Sequence, residues 1–206
     1  MIAALTVVIF ALAYAVVLLS GLASLATSAA PISDPWFTII ELLIVAMMPA
    51  IVTLMAAIRL SSPKRSDPPG RWSLMLIIMA TALTTTVHIA LLVLRRSDLI
   101  DPRWHPWLLS FEWPSVPYVL DVIAWDLFFG LAMLCAAPLV GGTRFAAAIR
   151  VTLAMSGVLA LAGLVGPVTG DMRLRAIGII GYAAIFPIAA ALLAFHFRAR
   201  IRLGVG

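Results

Sequence analysis

Ionisable side chains inside long apolar stretches are the first candidates for chemistry in this sequence. Glu41, His88, Asp121 and Asp126 each lie well within such a stretch. A charge in hydrocarbon is costly, so residues of these types in a membrane span usually face a cavity, relay protons or pair with one another. Carboxyl and imidazole groups are also the common donors and acceptors in general acid–base catalysis. We therefore interpret these four as candidate catalytic residues.

Aromatic and hydroxyl side chains near the ionisable residues are candidates for contact with a bound molecule. Thr85 and His88 belong to one polar stripe along a helix face. Tyr118, Asp121 and Trp125 recur at helical spacing on the face of another helix. The predicted substrate-binding residues are Trp125, Phe129, Tyr118, Trp113, Thr85 and Tyr182.

The two aspartates of the fourth apolar stretch are predicted to face different ways. Asp121 and Asp126 are five residues apart, which on an α-helix separates their directions by roughly 140°. We therefore expect that they do not act on the same atom. One would hold helices together while the other faces a cavity.

Six apolar runs must position these residues. Hydrophobic residues make up 64% of the 206-residue chain and charged residues only 11%, against about 25% charged in soluble domains. Each run is long enough to cross a hydrocarbon core of about 30 Å as an α-helix. The sequence predicts an all-α transmembrane bundle, residues 1–206 forming one membrane domain. The predicted spans are approximately 2–29, 36–60, 72–94, 117–140, 145–168 and 174–197.

The placement of basic residues predicts that both termini lie in the cytoplasm. The links after the second and fourth spans and the C-terminal tail carry more Lys and Arg than the opposite side, with Lys64 and Arg65 among them. In this orientation the four ionisable candidates lie about 6 to 14 Å below the outer membrane boundary. Tyr182 falls at a similar depth. We therefore predict a polar and aromatic pocket in the outer half of the membrane.

The first and fifth spans carry the small residues typical of packing helices. Ser20, Ser24 and Ser28 recur at four-residue spacing, as do Ala162 and Gly166. Small residues at this spacing let helix backbones approach closely within a membrane. We expect these two helices to serve packing.

The longest link, residues 95–116, is rich in tryptophan. Trp104, Trp107 and Trp113 lie in it together with several prolines. Tryptophan is common at the membrane–water interface, so the link could be an interfacial anchor. It could also form a cap over the outer polar cluster, and the sequence leaves both interpretations open.

Several classes of function lack their sequence signals. The chain has no GxxxxGK[ST], GxGxxG or HExxH motif, and its three histidines have no metal-binding spacing, so we predict no cofactor and no metal. The net charge of +5 comes from basic residues flanking apolar runs, which indicates topology and not nucleic-acid binding. Cys135 lies alone in an apolar run and is interpreted as a buried small hydrophobe. The predicted partners are membrane lipid and a lipophilic small molecule, and a homo-oligomer is left open.

Two stretches carry resemblances to known proteins. WPSVPYVLDVIAWDLFFG at 113–130, with GDMRLR at 170–175, resembles a group of small, uncharacterised bacterial multi-pass inner-membrane proteins. That resemblance implies the bacterial inner membrane and no particular activity. Ile123-Ala124-Trp125-Asp126 is similar to the Asn-Ile-Ala/Ser-Trp-Glu segment of fungal integral-membrane terpene cyclases. The resemblance implies a catalytic role for Asp126, although this chain has Asp in place of Glu and six spans in place of seven.

Three functions follow from these observations. The first is binding of, or acid-catalysed action on, a lipophilic molecule, with Asp126 or Asp121 as the acid and an aromatic wall stabilising a cation. The second is a proton-coupled transporter or channel component in which the same residues relay protons. The third is a structural or accessory subunit in which the polar residues bind neighbouring helices. The polar residues of the spans lie in the outer half of the membrane and give no path to the cytoplasmic face, which favours binding of a lipophilic molecule over proton-coupled transport.

Overall fold

The computed structural model describes residues 1–25, 27, 32–62, 68–98 and 100–202. Within these ranges the chain is all-helical, and six helices are long and apolar enough to cross a membrane, as predicted. These helices are α1 (Ile2–Ala23), α2 (Trp36–Ser61), α3 (Pro68–Leu94), α4 (Val116–Leu139), α5 (Ala146–Thr169) and α6 (Met172–Arg202).

Three predicted boundaries differ from the structure. Helix α1 ends at Ala23, short of the predicted residue 29. Helix α3 begins earlier than predicted because Pro68 and Pro69 occupy its first turn, where a missing backbone N–H leaves no hydrogen bond unmade. Helix α6 continues to Arg202, beyond the apolar run. Ser28, Lys64 and Arg65, on which the packing and orientation predictions draw, lie outside the described residues.

The six helices pack in chain order around a common core. Each helix lies against the next, and α1 also packs against the Phe186–Arg202 part of α6, which closes the ring. Large apolar side chains cover the outside of the bundle; Ile2, Ile9 and Leu12 of α1 are examples, each more than 60% exposed. An apolar exterior of this kind matches a hydrocarbon surrounding.

Two helices contain a π-helical segment, and these segments face each other. One runs from Ile123 to Phe129 in α4 and the other from Ile180 to Ile185 in α6. Their aromatic rings are in contact: the centroids of Trp125 and Tyr182 are 5.1 Å apart. In a π-helical segment the backbone hydrogen bonds join residues five apart instead of four, which widens the turn, and such segments often occur at functional sites.

The link between α3 and α4 lies across one end of the bundle, which we term the link side. It forms a 3-10 turn at Pro102–Trp104 and one α-helical turn at His105–Leu108. Trp104 and Trp107 are more than half exposed. Phe111 instead turns inward, with its ring centroid 5.8 Å from that of His88. The described part of the link therefore covers the polar cluster with Phe111 and exposes two tryptophans. Its role as an interfacial anchor stays a prediction.

Candidate functional site

Five ionisable side chains form one chain of contacts near the link side, which we call the buried network. His88 Nδ1 lies 2.6 Å from Glu41 Oε2, and His88 Nε2 lies 3.7 Å from Asp121 Oδ1. The other oxygen of Asp121 accepts a hydrogen bond of 2.7 Å from Arg175 Nη2. Arg175 Nε donates to Asp126 Oδ2 at 3.0 Å. The network thus runs in the order Glu41, His88, Asp121, Arg175, Asp126.

Four helices contribute to the network, and burial of its members is nearly complete. Glu41 comes from α2, His88 from α3, both aspartates from α4 and Arg175 from α6. No member exposes more than 7% of its surface. Charges taken out of water to this degree are stable only when they are paired and hydrogen-bonded. The four ionisable candidates therefore meet at one level of the bundle: Glu41, His88 and Asp121 follow one another, and Asp126 joins them through Arg175.

The expectation that Asp121 and Asp126 point about 140° apart is wrong, although Asp121 does face the cavity while Asp126 packs between helices. Both carboxylates bind the guanidinium of Arg175. The reason is the π-helical segment that begins at Ile123: its i→i+5 hydrogen bonds widen the turn, so residues five apart come close to the same face. The angle that an ideal α-helix gives for a spacing of five residues therefore does not apply to this part of α4.

Sequence reasoning missed the central cation. Arg175 is not among the predicted site residues, yet it is 3% exposed. Gly170, at φ +78°, ends α5, and Asp171 caps the 3-10 turn Met172–Arg175 that starts α6 and turns the arginine inward. One signal could have found it. Three intramembrane carboxylates require a cation, and Arg175 is a basic residue inside the predicted sixth span, at the end of that span nearer the carboxylates.

Asp126 is held on its other side by glycine. Its Oδ1 atom is buried and has no hydrogen-bond partner among the described residues. A Cβ atom built on Gly163 of α5 or on Gly178 of α6 would overlap that oxygen. The two glycines therefore form a notch that admits the carboxylate between α5 and α6. Asp126 is completely buried and belongs to helix packing as much as to the network.

A cavity of about 370 Å³ opens beside the network. Its polar end is lined by His88, Asp121 and Arg175, next to the rings of Tyr118 and Phe111. From there it extends along the bundle toward mid-span. The remaining lining residues are apolar or aromatic and come from α1, α2, α4 and α6: Val7, Ala11, Tyr14, Ala15, Leu18, Ile44, Met47, Ile51, Trp125, Ile179, Tyr182, Ala183, Phe186 and Pro187.

Half of the predicted site residues line this cavity, and four of the other five contact a lining residue. His88, Asp121, Tyr118, Trp125 and Tyr182 are lining residues. The remaining five, Glu41, Asp126, Phe129, Trp113 and Thr85, are not among them.

The supporting residues reach the cavity through other side chains. Glu41 binds the far side of the His88 ring. Phe129 is fully buried behind Trp125, with ring centroids 5.4 Å apart, and Trp113 packs edge-on against Tyr118. Thr85, in the polar stripe of α3, is half-buried. On the same helix, the buried Thr84 hydroxyl has no hydrogen-bond partner among the described residues.

Helix α1 is more than the packing helix that its sequence predicts. Its residues Val7, Ala11, Tyr14 and Leu18 form one wall of the cavity. The expectation holds better for α5, where Gly166 lies against the backbone of Arg175 and a Cβ there would meet Arg175 N at 2.9 Å. The difference arises because α1 packs closely on α6 only along Phe186–Arg202, beyond the polar end of the cavity.

The geometry suits proton transfer at His88. Glu41 binds Nδ1, so the ring is oriented and Nε2 is the nitrogen directed toward Asp121 and the cavity. A carboxylate on one imidazole nitrogen stabilises the protonated ring and leaves the other nitrogen to exchange a proton. Arg175 is occupied by two carboxylates and covered by the Tyr118 ring, whose centroid is 4.4 Å from the guanidinium carbon. Among the described residues, no three His, Cys, Asp or Glu side chains are arranged to hold a metal ion.

Comparison of the chain with protein-family models, with curated proteins and with solved structures finds no match to any of them.

Proposed function

We propose that this multi-pass membrane protein binds a lipophilic small molecule in the cavity beside the buried network. The observation that supports the proposal is the two-part lining of one continuous cavity. Its link-side end presents His88, Asp121 and Arg175, and its mid-span end presents Val7, Ile51 and other apolar groups. A molecule with a polar group and an apolar body complements such a site.

Chemistry on the bound molecule would involve His88 and Asp121. An acid-catalysed reaction of the kind implied by the likeness to terpene cyclases needs its proton donor at the cavity surface. Asp126 is fully buried, is bound to Arg175 and does not line the cavity. Of the two aspartates we therefore assign the acid–base role to Asp121, together with His88, and assign Asp126 to positioning of Arg175.

Two further parts of the proposal concern location and direction. The bacterial inner membrane is proposed from the resemblance carried by residues 113–130. The proposal that the pocket lies in the outer leaflet follows from the distribution of basic residues.

A proton-coupled transporter is the less favoured function. The described spans place every acidic residue in the half nearer the link side, so the network provides no carboxylate path to the opposite face.

A pair of neighbouring alanines provides the test. Ala183 lines the cavity, whereas Ala184 does not, and both are exposed residues of α6. The probe is a long-chain alcohol carrying a diazirine, photo-crosslinked to the protein in lipid nanodiscs, with labelled peptides identified by mass spectrometry. We expect saturable labelling of cavity residues such as Tyr14, reduced several-fold by Ala183→Trp and unchanged by Ala184→Trp. Labelling that stays non-saturable and confined to the lipid-facing exterior would exclude the proposal.

A further inference from the structure

The buried network contains one more negative charge than its cations can balance. Its three carboxylates are Glu41, Asp121 and Asp126, and its cations are Arg175 and, when protonated, His88. Even with an imidazolium the sum is therefore one negative charge. A single uncompensated charge at this burial is strongly unfavourable. The network must hold an additional proton or a cation from outside.

Among the residues that the structure describes, the surrounding helices bring no further charged side chain to the network. Helix α1 faces the network with Tyr14 alone, and α6 adds the phenol of Tyr182 beside Arg175. The one charged residue of α5, Arg150, donates to Val140 O at the opposite end of the bundle. From the link, Phe111 and Tyr118 cover the network with rings. Among the described residues nearest the link side, the arginines lie outside, with Arg96 bound to Asp34 and about half exposed.

A cation from outside can reach the network at Asp121, because, of its three carboxylates, this is the one at the cavity surface. Arg175 is shared by Asp126 and Asp121, and Glu41 pairs with His88, so the two aspartates together have only one cation. Asp121 Oδ1 is 3.7 Å from His88 Nε2, beyond hydrogen-bond distance, so this oxygen is available to a positively charged ligand. The rings of Trp125, Tyr118 and Tyr182 line the same part of the cavity. A carboxylate surrounded by aromatic faces is the arrangement that binds organic cations.

We infer that the ligand of the cavity is a lipophilic organic cation, and that its binding releases one proton from the buried network. The inference rests on the proposed function and adds the charge of the ligand. In the empty cavity the additional proton neutralises the network. When the cation binds against Asp121, that proton leaves to solvent, so the total charge of the site is the same before and after binding. By the same balance, an anionic analogue would bind only if the network took up one further proton, which makes its binding less favourable.

The test uses two ions of nearly equal shape and opposite charge. Tetraphenylphosphonium and tetraphenylborate are titrated separately into the purified full-length protein by isothermal calorimetry. We expect saturable binding of the phosphonium and none of the borate. Affinity for the phosphonium should rise with pH by up to about tenfold per pH unit where one proton is released. Repeating the titration in buffers of different ionisation enthalpy measures that release directly, and we expect about one proton per cation.

Variants locate the effect. Asp121→Asn should abolish both phosphonium binding and proton release. Asp101→Asn, a change in an exposed link residue that pairs with Arg103, should alter neither. Because Asp121→Asn could also impair folding, the wild-type comparison of the two ions decides the inference by itself. Equal binding of both ions, binding of the borate alone, or binding of the phosphonium without proton release would each overturn it.

The outcome also separates this inference from the function on which it rests. Saturable photolabelling of the cavity by the neutral alcohol, combined with no preference for the phosphonium, would leave a lipophilic site that does not select cations. Absence of both would remove the site and the inference together.

Discussion

His88 Nδ1 lies 2.6 Å from Glu41 Oε2, so the imidazole of α3 is fixed by a carboxylate of α2 in the interior of the bundle. The contact joins residues that are 47 positions apart in the chain. It orients the ring nitrogen that faces Asp121, and it provides one of the three carboxylates of the network. Changes at either residue should therefore affect both folding stability and proton binding.

Glu41→Gln tests the first of these effects. The amide keeps the shape of the side chain but removes the charge that pairs with His88, and weakening a buried, charge-assisted hydrogen bond costs about 1.5–3 kcal/mol. We expect a lower unfolding temperature in detergent, measured by nanoscale differential scanning fluorimetry. Proton release on phosphonium binding should also fall, because two carboxylates balance Arg175 and an imidazolium. An unchanged unfolding temperature would show that the pair does not stabilise the fold.

Arg175→Lys should be damaging although the charge is kept. The guanidinium uses Nε for Asp126 and Nη2 for Asp121, and a single ammonium cannot reproduce that geometry. Breaking one buried ion pair costs about 3–5 kcal/mol. Denaturation in mixed detergent should show a loss of this order. Arg173→Lys, at an exposed position of the same turn, is the matched control and should have the free energy of unfolding of the wild type.

Gly178→Ala should displace Asp126. A methyl group at residue 178 would overlap Asp126 Oδ1 and approach Gly163 Cα at 3.1 Å. Overpacking of a close-packed interior typically costs about 1–3 kcal/mol, and partial loss of the Arg175 pair adds to this. The unfolding temperature of Gly178→Ala should therefore be lower than that of Gly170→Ala, because nothing lies within 4 Å of a Cβ at Gly170. Since Gly170 has φ +78°, its substitution carries backbone strain alone.

Two buried hydroxyl groups should respond differently to removal. Ser156 Oγ donates to Gly181 O at 2.9 Å and joins α5 to the π-helical segment of α6, so Ser156→Ala should cost about 1 kcal/mol. Thr84 Oγ1 is buried without a partner among the described residues. Thr84→Val should therefore be neutral or stabilising. Equal destabilisation by both substitutions, measured by thermal unfolding, would mean that the Thr84 hydroxyl is hydrogen-bonded in the membrane.

The predicted orientation can be measured with single cysteines in a Cys135→Ser background. Asp98 lies on the link side and Arg144 in the turn between α4 and α5 at the opposite end, and both are exposed. With both termini in the cytoplasm, a membrane-impermeant maleimide added to intact cells should label Asp98→Cys and leave Arg144→Cys unlabelled until the cells are lysed. The reverse pattern would place the cavity in the inner leaflet.

The sequence alone was sufficient for the six-helix membrane architecture and for the position of the polar site along the helices. Runs of apolar residues determine spans because the cost of exposing backbone and charge to hydrocarbon acts locally on each segment. For the same reason Glu41, His88, Asp121 and Asp126 could be selected one by one. Their shared depth indicated a cluster, since distance along a helix follows directly from residue number.

Tertiary structure decided which residues meet and which face the cavity. The joint binding of Asp121 and Asp126 to Arg175 depends on a π-helical segment, and a spacing of five residues on an α-helix predicts the opposite. The burial of Asp126 depends on the notch between Gly163 and Gly178, two glycines that sequence separates and packing brings together. Helix α1 became a cavity wall because it diverges from α6 beside the network. These outcomes depend on the angular position of each helix in the bundle, which is set by side-chain packing between helices and leaves little trace in an apolar sequence.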